Sequence, residues 1–115
     1  CNCRKRGNSL LLRYMSISLV IYEDNVRLRE SMELLLGVDS GFSISGAFSN
    51  CAQVIKQMET LAPQLVIMDI DMPGMSGIEG VRLIKSSFPD IKVIMYTVMT
   101  TGFLNVFAMV LTDIC

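Results

Sequence analysis

Apolar and polar positions alternate in blocks along the chain. Ile17 to Tyr22, "ISLVIY", is a short, nearly continuous apolar run that ends at Glu23. Its length and β-branched content predict a strand buried on both faces. The next stretch, "DNVRLRESMELLLG", carries Leu28, Met32, Leu35 and Leu36 at helical spacing. Asp24 or Asn25 can cap its start, and Gly37 closes it. Phe42 to Ala47 predicts a second strand. Ser49 or Asn50 can cap a helix in which Cys51, Ile55, Met58 and Leu61 recur at steps of four, three and three. "PQLVIM" predicts a third strand, running straight into "DIDMPGMSG". Gly77 to Ser87 predicts a helix with Ile78, Val81 and Ile84 on one face. Pro89 and Asp90 turn the chain into a fourth strand, Ile91 to Tyr96. Residues 103–111, "FLNVFAMVL", read as a helix with almost no polar face.

Strand followed by helix, four times over, predicts an α/β fold: a parallel sheet with helices on both faces and right-handed crossovers. In such a doubly wound fold, sites lie outside the carboxyl ends of the strands. The residues there are Glu23 and Asp24 after strand 1, Asp69 and Asp71 after strand 3, and Thr97 after strand 4. Singly, each has an ordinary explanation. Glu23–Asp24 suits a helix N-terminus, Asp71-Met72-Pro73-Gly74 suits a turn, and a threonine at a strand end is commonly structural. Together, at three carboxyl ends, they read as a site.

Close carboxylates raise one another's pKa unless a cation sits among them. Mg²⁺ fits: it prefers oxygen ligands, takes one or two carboxylates, and completes its shell with water and phosphate oxygens. An aspartate anchored beside such an ion can attack a phosphoryl group, with the Thr97 hydroxyl donating to a phosphoryl oxygen. Asp69, at the very end of its strand, is the expected acceptor. Asp71, in the turn, can serve through its backbone carbonyl as well as through its side chain.

Composition narrows the alternatives. The 115 residues suit one small domain, and 51% hydrophobic content is too apolar for disorder. Arg4, Lys5, Arg6 and Arg13 lie in the first 14 positions, while the remaining 101 residues carry a net charge of −5. An acidic body argues against direct nucleic-acid binding. With no histidine and no CxxC pair, Cys1, Cys3, Cys51 and Cys115 suggest neither a zinc site nor a disulfide framework, so a reducing cytoplasm fits best. No apolar run is long enough for a membrane span. The basic start and Leu10 to Leu12 have a signal-peptide flavour, but no small-residue cleavage site follows. Met15 suits a translation start, and residues 1–14 read as a non-native or disordered leader.

On three segments the chain resembles the receiver domain of bacterial two-component response regulators. "VIYEDN" resembles the acidic pair after that family's first strand, "LVIMDIDMPGMSGIE" its phosphoacceptor segment, and "VIMYT" the strand ending in its phosphate-contacting Ser/Thr. The resemblance spans Ile17 to Thr97 and implies a flavodoxin-like receiver fold in residues 15–115. It implies that Asp69 accepts phosphate from a sensor histidine kinase. It further implies that Asp24 and Asp69 ligate Mg²⁺ directly, with Glu23 acting through water and Asp71 through its carbonyl. Thr97 would bind the phosphoryl group, and Val98 stands where a small residue usually controls access to it. In the full-length family a receiver commonly switches an attached DNA-binding output domain.

The resemblance also has a departure. The family continues through a fifth strand with a phosphate-facing lysine and a fifth helix. Lys85 and Lys92 do not match that lysine, and the receiver reads as incomplete at the C-terminus. Two expectations follow. The chain labels poorly with phosphate, and strand 4 is an exposed apolar edge through which a second copy could pair. Two other functions compete. "MDID" also resembles the DxD motif of haloacid-dehalogenase-type phosphatases, but that motif belongs on a first strand and leaves Glu23–Asp24 unexplained. A degenerate, non-phosphorylated interaction module is the other.

Overall fold

The computed structural model describes residues 16–38, 41–101 and 104–111, with side chains described up to Thr97. Residues 1–14, read from the sequence as a leader, lie outside the described residues, and so does the side chain of Val98. The elements are β1 (Ile17–Tyr22), α1 (Val26–Gly37), β2 (Phe42–Phe48), α2 (Val54–Leu61), β3 (Leu65–Asp69), α3 (Gly77–Ser87), β4 (Lys92–Thr101) and β5 (Leu104–Leu111).

The strands form one sheet in the order β2-β1-β3-β4-β5. Pairings β1–β2, β1–β3 and β3–β4 are parallel, as the repeated strand–helix pattern requires. The first crossover moves one way from β1 and the later ones move the other way, so winding reverses between β1 and β3. That switch point is where a doubly wound sheet opens a crevice at its carboxyl edge.

Strand alternation separates two faces. Val20, Tyr22, Val66, Met68 and Val93 point toward α2 and α3, where they pack with Val54, Met58, Val81 and Ile84 into one buried cluster. Tyr22 satisfies its hydroxyl within this layer by donating to Gln57 Oε1 at 2.6 Å. Cys51 is buried here too, and burial pushes its thiol up to about 11. The other face carries Leu19, Ile21, Asp69 and Tyr96 and is covered by α1, whose own residues all stay partly or fully exposed.

Helix starts follow the expected chemistry at two of three places. Asn25 Oδ1 accepts the Leu28 N–H at 3.0 Å, and Ser76 Oγ accepts the Glu79 N–H at 3.3 Å. The second helix begins later than its apolar spacing suggests. Cys51 sits in a turn ahead of Val54, and Asn50 Oδ1 accepts the Ala52 N–H at 2.9 Å. An Asx turn has displaced the helical start there.

Beyond Tyr96 the sequence expectation fails. β4 continues to Thr101, and residues 104–111 form a strand, not a helix. β5 pairs antiparallel with β4 from Ile94↔Leu111 to Thr101↔Leu104. An apolar run with no polar stripe carries no helical period to protect it, and a neighbouring unpaired strand offers it a full ladder of hydrogen bonds. β4 is therefore an interior strand whose edge is covered by β5, not the exposed edge expected from the sequence.

Candidate metal and phosphoryl site

β1 is buried from Leu19 through Tyr22, so its end is fixed in the sheet and Glu23 follows directly. Glu23 is itself buried, which an unpaired carboxylate would not tolerate. Its Oε2 accepts the Asn25 N–H at 3.0 Å, and its Oε1 accepts the Tyr96 hydroxyl. Arg29 Nη1 donates to the Glu23 carbonyl at 2.8 Å, tying the first turns of α1 to the strand end. Asp24 is exposed beside it.

β3 delivers Asp69 from the adjacent position. Its carboxylate is buried, and Oδ1 accepts the Asp71 N–H at 3.0 Å. The backbone around it is fixed on both sides: Ile70 N–H donates to the Tyr96 carbonyl at 2.8 Å, and Gly77 N–H donates to the Ile70 carbonyl at 3.0 Å. Carboxylate oxygens of Glu23, Asp24 and Asp69 all lie within 4.8 Å of one another. Three oxygen donors so close suit a hard divalent cation far better than they suit one another. They line a cleft of about 210 Å³ with Asn25, Leu28 and Asp71. Asp24 also borders a neighbouring cleft of about 520 Å³ lined by Ser49, Asn50, Pro73, Gly74 and Met75.

The crowding registers in Asp69. Burial first, then the charges of Glu23 and Asp24, push its carboxyl up to about 7 against the pull of the Asp71 N–H. An acid whose folded pKa is raised binds more protons folded than unfolded. The stability it contributes is complete below its ordinary pKa and is lost as pH rises through about 7. The metal-free chain is therefore expected to melt at a higher temperature near pH 5.5 than near pH 8 in calorimetry. Millimolar Mg²⁺ should narrow the gap by stabilising mainly the higher-pH sample. Equal melting temperatures at both pH values without metal would contradict this picture.

The other expected site residues divide. Asp71 lines the cleft, but its side chain is not part of the three-carboxylate cluster. Thr97 does not end its strand, as expected from sequence; it lies inside β4, opposite Ala108 of β5. Register still places it one residue beyond Tyr96, the partner of Asp69. Among the described residues the lysines are Lys56, Lys85 and Lys92. Lys85 Nζ donates to the carbonyls of Pro89 and Ile91, and Lys92 pairs with Leu65, so both mark the amino ends of β3 and β4, away from the acidic cluster.

Tyr96 is the site residue that sequence reasoning passed over. It is buried, its hydroxyl donates to Glu23, and burial, the Glu23 bond and the nearby carboxylates all push its phenol far above the ordinary range. The signal was available: a tyrosine closing an apolar strand must find a partner for its hydroxyl, and the nearest acceptors are those of the acidic cluster.

Comparison with known proteins identifies the family of the chain. Residues 19–112 match the family described as the response regulator receiver domain. The transcriptional regulatory protein LnrK of Bacillus subtilis is 35% identical over 81 residues, which cover 70% of this chain and 37% of that protein. A protein-glutamate methylesterase/protein-glutamine glutaminase of Nocardioides is 33% identical over 84 residues, covering 73% of this chain and 23% of that protein. The chain thus spans well under half the length of these curated relatives. Among solved structures, a LuxR-family DNA-binding response regulator from Staphylococcus aureus superimposes with a TM-score of 0.66 at 36% identity, covering 75% of this chain and 72% of that one. The response regulator domain of Thermotoga maritima CheB shares the fold, with a TM-score of 0.68 at 24% identity over 76% of this chain and 65% of that one.

Proposed function

The chain belongs to the response regulator receiver family of two-component signalling, and from that membership we propose that Asp69 is its phosphoacceptor. The observation that carries this reading is the convergence of Glu23, Asp24 and Asp69 at the switch point of the sheet. The donor set suits Mg²⁺, held by Asp24 and Asp69, with Glu23 behind them and the Asp71 carbonyl as a further oxygen donor. When bound, such an ion supplies positive charge that offsets the charge of the phosphoryl oxygens.

The residues of the chain do the rest. The Asp71 N–H holds Asp69 Oδ1 in place, which leaves the other carboxylate oxygen to attack. That oxygen forms a bond to phosphorus while the donor's P–N or P–O bond breaks, and the electron pair leaves with the donor. Thr97 would donate its hydroxyl to a phosphoryl oxygen, and Val98 would border the entrance. The cleft beside Asp24 gives the donor its approach. The donor in the cell would be a sensor histidine kinase. The output in the whole protein would be transcription, as the names of LnrK and of the Staphylococcus regulator suggest for those proteins. No helix among the described residues is long and apolar enough to cross a membrane, and a cytoplasmic location suits the reading. The phosphatase reading falls with the family assignment. On this reading Asp69 is itself the acceptor of the phosphoryl group.

Acetyl phosphate with Mg²⁺, followed by mass mapping of the acyl phosphate, tests the proposal. Label should appear on Asp69 only and only with the metal. Its level should stay well below one per chain, because Lys85 and Lys92 stand at the far end of the sheet. Absence of any label at saturating donor would favour a degenerate module, and stoichiometric label would overturn the weak-labelling expectation.

A further inference from the structure

Glu23 is held more tightly than an outer carboxylate needs to be. Its two oxygens have separate protein donors: the Asn25 N–H on Oε2 and the Tyr96 hydroxyl on Oε1. The first donor is local, two residues along the chain. The second comes from 73 residues away, on the strand beyond β3. Tyr96 is itself fixed at both ends. Its carbonyl accepts the Ile70 N–H at 2.8 Å, its Cα is in register with Asp69, and its hydroxyl lies 3.6 Å from Met32 Sδ on α1. The phenol therefore bridges from the Asp69 level of the sheet to the carboxylate after β1.

We infer that Tyr96 is a positioning residue for the metal site, setting the plane of the Glu23 carboxylate and its separation from Asp69. This rests on the metal-binding reading of the acidic cluster. With both oxygens engaged, each keeps a single direction for a further contact, so Glu23 presents one fixed face to a cation or to the cation's water. Remove the hydroxyl and Oε1 becomes a buried acceptor without that donor, free to turn away. Partners one shell out from a metal orient its ligands, and losing one typically weakens binding by about 10–100-fold.

The test is a cycle of Tyr96→Phe and Glu23→Gln in the full chain, with Mn²⁺ binding read by electron paramagnetic resonance. Tyr96→Phe keeps the ring and its packing, and circular dichroism checks that the variant folds. It should weaken Mn²⁺ binding about tenfold. In the Glu23→Gln background the same change should weaken it less than about twofold, because the effect travels through that carboxylate. A second readout needs only the Glu23→Gln chain and the unsubstituted one. Mn²⁺ should perturb near-ultraviolet tyrosine absorption in the unsubstituted chain and not in Glu23→Gln. Equal Mn²⁺ affinity for Tyr96→Phe and the unsubstituted chain would overturn the role of Tyr96 alone. So would an equal loss in both backgrounds, or a tyrosine spectrum indifferent to metal. An unsubstituted chain that binds no Mn²⁺ would instead overturn the metal reading itself, and this inference with it.

Discussion

Asp69→Asn is expected to abolish the Mg²⁺-dependent phosphoryl label while raising the melting temperature of the metal-free chain at pH 8. The two effects have one origin. Asn keeps an oxygen for the Asp71 N–H, which now reaches Asp69 Oδ1 at 3.0 Å, so the loop need not move. It has no anionic oxygen to attack phosphorus, and transfer stops. It also removes a buried charge from a cluster whose members lie within 4.8 Å. Relief of that repulsion should stabilise the metal-free protein by on the order of 1–2 kcal/mol, water at the exposed Asp24 screening the remainder. Added Mg²⁺ should then stabilise the variant far less than the unsubstituted chain. Calorimetry with and without metal, paired with labelling, reads both signs. A variant that loses label and also melts lower would show that the cluster is not under electrostatic strain.

The second large effect is expected at Gly77, the first residue of α3. A Cβ placed there would lie 2.1 Å from the Asp69 carbonyl oxygen and 2.9 Å from Ile70 Cα. Both obstacles are backbone, held in the sheet and by the Gly77 N–H bond to the Ile70 carbonyl. No rotamer change can relieve the overlap, so Gly77→Ala must push α3 away from the strand that delivers Asp69. The cost should be about 3 kcal/mol or more, the upper end of overpacking effects, lowering the melting temperature by roughly 10–20 °C. Gly74 serves as the internal comparison. Its φ is +77°, yet nothing lies within 4 Å of a Cβ there. Gly74→Ala should cost only about 1–2 kcal/mol, the penalty of a left-handed residue. If the two variants melted together, close approach at Gly77 would not be what fixes this loop.

These two glycines show how far the sequence could be read. "DMPGMSG" announced a turn, and the four strands and three helices up to Tyr96 followed from hydrophobic periodicity, because each buried face imposes its own period. Glu23, Asp24 and Asp69 could be expected together only if strands 1 and 3 were neighbours, and the order β2-β1-β3-β4 makes them so. What the pattern could not carry was any choice decided by a distant partner. "FLNVFAMVL" has no polar face to reveal its period, and its strand form depends on β4 lying open beside it. Tyr96 looked like one more apolar residue of a buried strand. Only the register opposite Asp69 turns its hydroxyl toward Glu23. Gly77 differs from Gly74 through a helix–strand approach that neither residue's neighbours encode.

The antiparallel pairing of β4 with β5 also bears on the order in which the molecule assembles. Ladder partners there are at most 17 positions apart, Ile94 with Leu111, whereas β1 and β3 join Val20 to Val66 across 46. Hairpins close in about 1–10 μs, and sheet pairings across long crossovers wait on costly loop closure. Tyr96 and Thr97 therefore belong to the part of the chain that can organise first. Glu23 and Asp69 meet only when the slow parallel ladder forms, so the acidic cluster comes into being against a strand already in place.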